Sequence, residues 1–323
     1  MQKIGVLRAL EMYKSRPGIL IVNYHRVGDA SKSSFDRGVF SATKDEFDFQ
    51  IKYFKKHLPV VSGSELEDLV SGRTNLNRTY ITITFDDGYL DNYTNAYDVL
   101  RANHVEAAFF LVPEYVGTSC VPWWDEIAYL VRNTKHEQIT FASSGPLTLN
   151  LGQDREPAIL EVLRLYKFAG NTRASELLQE LREKAECALP EPGRRFLDWQ
   201  EAKEMKNAGM VIGSHTSSHR ILGQISPEQQ RWELEQSKKE IEEKIGSPIS
   251  ALAYPVGSLD AFNSTTEEIS RSVGYTMCFS YYGGINTPEN MNPANLLRGS
   301  LDRNTLLFRT ETMMYAKLGR LPY

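Results

Sequence analysis

Apolar positions along the chain fall into short runs of strand character that alternate with stretches of helical spacing. "GILIVNY" (18–24) is the first strand candidate. In "TKDEFDFQIKYFKKHL" (43–58), Phe47, Ile51, Phe54 and Leu58 form a helical stripe, and Thr43 with Glu46 is a capping-box signature. A short strand "PVVS" and a capped helix "SELEDLV" follow, then a strand over 79–85, a helix over 89–102 and the apolar run "EAAFFLV" (106–112). Further on, "GMVIGS" (209–214) reads as a strand. The helix 226–246 opens with Ser226 and Pro227 and stops at Gly246. Strands at 249–255, 275–280 and 296–302 and helices near 264–273 and 304–317 complete the pattern. Alternation of this kind implies parallel βαβ units, closed into a barrel or laid out as a doubly wound sheet.

Residues 114–197 break the rhythm. They hold "VPWWDEIAYLVRN", a hairpin pattern "QITFASSGPLTLNL" and two polar helices, and they read as an insertion between core strands of one domain spanning 1–323. Composition narrows the class. With 37 basic and 41 acidic residues the net charge is −4, so no general attraction to nucleic acid is expected. The three cysteines, Cys120, Cys187 and Cys278, are widely spaced and suggest neither a disulfide framework nor a metal cluster. The N-terminal segment lacks the order of a signal peptide, and its apolar stretch 18–22 is too short to span a membrane. Residues 4–14 suit a short packing helix. The expectation is a cytoplasmic protein with no stable membrane insertion.

Two features carry chemistry. "ITITFDDGYLDNY" (81–93) sets two carboxylates, Asp86 and Asp87, side by side at a strand end, where a metal ion or a helix N-terminus would relieve their repulsion. "VIGSHTSSHRIL" places His215 and His219 four residues apart after another predicted strand. A helical turn would bring both imidazoles to one point. Both motifs then lie on the C-terminal rim of a parallel sheet, where such folds gather their sites. One carboxylate and two imidazoles make a three-donor site with an open position, the pattern of catalytic rather than structural zinc.

"TFDDG" followed by "HTSSH" resembles the first two motifs of the polysaccharide deacetylases, carbohydrate esterase family four, over roughly residues 18–113 and 198–302. The resemblance implies a distorted (β/α) barrel of about seven parallel strands. It further implies Asp86 as general base, with Asp87, His215 and His219 as ligands of a divalent metal, Zn²⁺ first and Co²⁺ or Ni²⁺ as alternatives. The substrate implied is an N-acetylated saccharide. Most of the family take the leaving-group proton from a late histidine, and this chain has none after His219. "ILIVNYHRVGD" instead resembles the N-terminal YHxV segment of the exopolysaccharide deacetylases, which makes His25 the general acid. The third motif departs as well: "ALAYPVGS" has Ala253 where the family keeps an arginine beside the base. Arg298, in "NLLRGSLD", is the candidate to replace it, and Pro255 and Val256 are candidates to present a backbone N–H to an oxyanion.

Aromatic faces stack on sugar rings, so Trp123, Trp124 and Tyr89 are candidate substrate contacts, with packing as the alternative for each. The expected activity is hydrolysis of N-acetyl groups from amino sugars in a surface polysaccharide, an oligosaccharide or a lipid-linked precursor. The alternatives are a deformylase-like amide hydrolase on a lipid-linked sugar and a degenerate domain that binds glycan without catalysis.

Overall fold

The computed structural model describes residues 15–142, 147–190 and 193–319. The expected helix at 4–14 lies outside the described residues. The chain forms two compact units, one of residues up to 28, 41–118 and from 195 onward, the other of 29–40 and 119–194.

The first unit is built on six parallel strands in the order β1 (Gly18–Tyr24), β4 (Thr79–Phe85), β5 (Ala108–Leu111), β8 (Val211–Ser214), β9 (Ala251–Ala253) and β10 (Met277–Phe279). The short strands β2 (Arg26–Val27) and β3 (Phe40–Ala42) stand outside this sheet. This is the curled half-barrel of a distorted (β/α) barrel. The expected strand over 296–302 is realised only as two isolated bridges, Leu296 to Phe279 of β10 and Gly299 to Val22 of β1. That single run still brings Arg298 to the ends of the strands. Likewise "PVVS" contributes one bridge, Val60 to Ile81.

Alternation along each strand sorts side chains between two faces. Leu20, Val22, Ile81, Ile83, Phe85, Phe109 and Leu111 join one core with the helices α1 (Lys44–His57), α7 (Trp199–Asn207), α8 (Pro227–Ile245), α9 (Ser264–Val273) and α10 (Thr305–Leu318). Ile19, Ile21, Ala108, Phe110, Ala253 and Phe279 form the core of the opposite face. Local signals in the sequence set the helix ends. Thr43 and Glu46 make a reciprocal capping box on α1, and Ser62 and Glu65 make another on α2 (Gly63–Val70). Ser226 caps α8, which has Pro227 at its first position and ends at Gly246 with φ 73°. The helix expected at 89–102 forms with a difference. Asn92–Tyr97 is π-helical and runs into α3 (Asp98–Ala102).

The second unit contains α4 (Trp123–Asn133), the antiparallel pair β6 (Gln138–Phe141) and β7 (Leu147–Asn150), α5 (Glu156–Phe168) and α6 (Asn171–Ala185). Its helices are less polar than their sequences suggested, because Ile127, Val131, Ile159, Val162, Leu177 and Leu181 are buried. Arg182 grips Glu126 with two hydrogen bonds of 2.6 and 2.8 Å, and Arg132 reaches Glu156 at 2.6 Å. The segment 29–40 belongs to this unit, where the Asp36 N–H donates to Asp125 at 3.0 Å. No sequence feature near residue 30 pointed to that association.

Candidate active site

Asp86 is the residue after β4, and it continues the alternation of Thr82 and Thr84 rather than that of Phe85, whose side chain joins the helix-covered core. Asn23, near the end of the neighbouring β1, pairs with Thr84 in register. Arg298 closes the group. Its Nη1 donates to Asp86 Oδ1 at 2.8 Å and its Nη2 to Asp86 Oδ2 at 2.7 Å, a bidentate pair with Arg298 fully buried. Arg298 Nε is held by the Ser280 carbonyl at 2.8 Å. Asn23 Oδ1 accepts from Arg298 at 2.7 Å and from Thr84 at 2.7 Å, which leaves its Nδ2 to donate to Asp86 Oδ2 at 3.0 Å. Burial alone would push the Asp86 carboxyl up, but the Arg298 guanidinium outweighs it and holds the group well below the usual carboxylate range. Asp86 is therefore ionised. The expected arginine position, Ala253, is the last residue of β9 and carries no cation, while Arg298 reaches the same carboxylate from 212 residues away.

Asp87 follows immediately but faces a different set of groups. Its φ of 71° takes the chain off the strand, and Gly88 at φ 72° completes the turn where an added Cβ would meet a Leu111 methyl at 2.8 Å. Asp87 Oδ1 stands 3.6 Å from Nε2 of His215 and 3.4 Å from Nε2 of His219. All three residues are buried, and one donor atom from each lies within 4.8 Å of the others.

The second histidine motif is fixed from outside. The His215 Nδ1 lies 2.8 Å from the Ala253 carbonyl. A carbonyl can only accept, so Nδ1 carries the proton and Nε2 presents its lone pair toward Asp87. Glu233 of α8 accepts the N–H groups of Ser217 and Ser218, both at 2.9 Å, and the Thr216 hydroxyl accepts the His219 N–H at 3.1 Å. Burial lowers the basicity of His215 and, more strongly, of His219, so both imidazoles are neutral. Asp87, Thr216, His219 and Val256 all have positive φ, between 59° and 71°, although none is glycine. Strained backbone thus gathers where these loops meet.

A carboxylate oxygen and an imidazole lone pair facing each other at such distances need a cation between them. Metal–ligand bonds of about 2.1 Å in tetrahedral geometry separate neighbouring donors by about 3.4 Å, close to the 3.4 and 3.6 Å seen here. The donor set of one carboxylate and two neutral nitrogens, with Nδ1 of His215 tied to a carbonyl, fits a divalent metal. Asp87, His215 and His219 would hold it.

His25 follows β1, with its Nε2 3.9 Å from Asp86 Oδ2 and its ring edge-on to Tyr281 at 5.6 Å. Pro255 and Val256 follow β9, and Val256 sits at φ 62°. Tyr89 behaves differently from its expected place in a cleft. It is fully buried, stacked on Phe196 at 5.0 Å and covered by the Arg26 guanidinium at 4.6 Å, so its ring serves packing. Trp123 and Trp124 belong to the second unit, where Trp124 is buried and Trp123 stacks on Tyr166 at 4.2 Å. Asn23 and Glu233 were not anticipated. A polar Asn at the end of an apolar strand was the available signal for the first; nothing marked Glu233 among the acidic residues of its helix.

Fold and site together define a class: a parallel α/β half-barrel with an Asp–His–His cluster and a separately held carboxylate at its strand ends. The chain belongs to the polysaccharide deacetylase family, whose sequence model matches residues 73–278. It is 21% identical over 258 residues to YxkH of Bacillus subtilis (strain 168), which is named only provisionally as a polysaccharide deacetylase. That match covers 80% of this chain and 62% of the relative, so the chain spans less than two thirds of that protein's length. Among solved structures it is similar to IcaB from Ammonifex degensii, with a TM-score of 0.61 and 19% identity over 94% of this chain and 98% of that one. It is also similar to the Streptococcus pyogenes deacetylase PplD in complex with acetate, with a TM-score of 0.59 and 20% identity over 93% and 99% of the two chains. At these identities the structural likeness establishes the fold. No helix among the described residues is long and apolar enough to cross a membrane.

Proposed function

We propose that this protein is a metal-dependent carbohydrate N-deacetylase, closest in its layout to the branch with the acid histidine near the N-terminus. The observation that carries the reading is the separation of two adjacent carboxylates. Asp87 faces two neutral imidazoles, while Asp86 is clamped by Arg298 and Asn23. When bound, a divalent ion, with Zn²⁺ first and Co²⁺ or Ni²⁺ as alternatives, supplies Lewis-acid polarisation of the amide carbonyl and an acidified water. Asp86 accepts the proton from the attacking water. Arg298 keeps Asp86 charged and oriented, the role Ala253 cannot fill. His25 is partly exposed beside Asp86 and donates the proton to the leaving nitrogen from Nε2. The backbone N–H at Pro255-Val256 falls to Val256, since proline has none, and this group faces the developing oxyanion. Trp123 is the candidate sugar platform of the second unit.

The substrate class is an N-acetylated amino sugar within a surface polysaccharide, an oligosaccharide or a lipid-linked precursor, processed in the cytoplasm. Mass spectrometry on a panel of N-acetylglucosamine oligomers and lipid-linked saccharides, with purified protein and added Zn²⁺, tests it. Loss of acetyl groups supports the reading. Loss of formyl groups alone would move the protein to the deformylase alternative, and binding without turnover would mark a degenerate glycan-binding domain.

A further inference from the structure

The segment that follows the two aspartates has a polar face that the proposed chemistry does not use. Asp91, Asn92 and Asn95 lie at the start of the helix after Gly88, and Asn92–Tyr97 of this helix is π-helical. All three side chains turn to the loop that carries His25. Asn92 Nδ2 donates to the His25 carbonyl at 2.6 Å. Asp91 Oδ1 accepts the Val27 N–H at 3.0 Å, and its Oδ2 accepts from Arg26 Nε at 2.8 Å. Asn95 Nδ2 donates to the Val27 carbonyl at 2.7 Å. The His25 N–H is taken by the Ser41 hydroxyl at 3.0 Å. The backbone N–H and C=O of both His25 and Val27 are thus satisfied by side chains, three of them from one helical turn.

This arrangement is unusual at a junction between strands, where connecting polar groups ordinarily face water. A π-helical turn is wider than an α-turn and is frequently found at functional sites. Here it brings Asp91, Asn92 and Asn95 together against residues 25–27, with Asn92 fully buried. The same stretch of ten residues, Asp86 to Asn95, therefore sets the base, one metal-facing carboxylate and the anchor of the histidine loop. His25 is the single residue between β1, which ends at Tyr24, and the two-residue strand β2 (Arg26–Val27).

We propose that Asn92, supported by Asp91 and Asn95, is a positioning residue for His25, holding the loop so that the imidazole stays beside Asp86. This rests on His25 being the general acid. Displacement of a proton donor by about 1 Å is enough to cost a large factor in rate. Asn92 acts through the His25 backbone, and Asp91 and Asn95 act through the neighbouring Arg26 and Val27.

The test is a double-mutant cycle on the full chain, with acetate release from N-acetylglucosamine oligomers as the readout. Asn92→Ala is expected to lower kcat about 10-fold with KM within about twofold and metal content unchanged. In the His25→Ala background the same substitution is expected to change kcat by less than about twofold, because its target is gone. A merely structural role would give the same loss in both backgrounds, and that result would overturn the inference while leaving His25 as the acid. If His25→Ala alone left kcat unchanged, the acid assignment itself would fall and this inference with it. Asn95→Ala, at a half-buried position, goes through the same cycle and decides the matter if Asn92→Ala does not fold.

Discussion

Asp86 and Asp87 are consecutive residues with opposite surroundings. Asp86 receives three hydrogen bonds of 2.7 to 3.0 Å from Arg298 and Asn23, a closed and fully compensated ion pair. Asp87 faces two imidazole nitrogens 3.4 and 3.6 Å away. The turn at Asp87, with φ 71°, makes the difference by sending one carboxylate along the inner face of the sheet and the other across it to β8. On the proposed reading two like charges are tolerated side by side because each has its own cation, Arg298 for Asp86 and a bound metal for Asp87.

The largest effects are expected on the Asp87 side. His215→Ala or His219→Ala removes one of three donors, and acetate release should fall at least about 1,000-fold, in line with losing the whole contribution of a catalytic ion. Elemental analysis should find the metal gone, and a variant that keeps it would break the assignment. On the Asp86 side, Asp86→Asn should leave the metal in place yet lower kcat by about 100- to 10,000-fold, the range for a lost general base. Arg298→Met should act on stability as well as rate. It leaves a buried carboxylate uncompensated, a loss of about 3–5 kcal/mol in urea denaturation. The double variant with Asp86→Asn should recover part of that loss.

Acid sharpens the same contrast. Because the folded Asp86 titrates below its unfolded value, its pairing stabilises the fold at pH above the unfolded pKa, near 3.9. That contribution is lost as the pH falls through the lower, folded value. The acid limb of a stability profile below about pH 4 should be shallower in Asp86→Asn than in the wild type. The smallest effect is expected from Trp123→Ala, a rise of a few-fold in KM with kcat unchanged, as for a contact made equally in ground and transition states.

The ligand half of the site was legible because its residues are close in sequence and follow strands that hydrophobic pattern alone reveals. "TFDD" and "HTSSH" each carry their own local geometry. The Asp86 half was harder to read. Arg298 was a candidate only because it lies in a strand-like run and Ala253 leaves the base without a cation; its contact with Asp86 spans 212 residues, on a run that forms only isolated bridges. Asn23 acts through strand register, Asn23 opposite Thr84, which a single sequence does not give. Helix boundaries were clear at the capping boxes of Thr43, Ser62 and Ser226, whereas the box at Asp198 that opens α7 was not read as a helix start. The π-helical turn at Asn92–Tyr97 left no such mark. Tyr89 misled because a tyrosine after a catalytic turn has the same pattern whether it lines a cleft or stacks on Phe196.

The central claim is that adjacent carboxylates divide the work, one holding the metal and one acting on its water. Calorimetric titration of Zn²⁺ into metal-free Asp86→Asn and Asp87→Asn, side by side with the wild type, tests it most directly. The account predicts one equivalent bound by Asp86→Asn with affinity within a few-fold of the wild type, and a loss of at least about 100-fold in Asp87→Asn. Equal losses in the two variants, or a greater loss in Asp86→Asn, would contradict it.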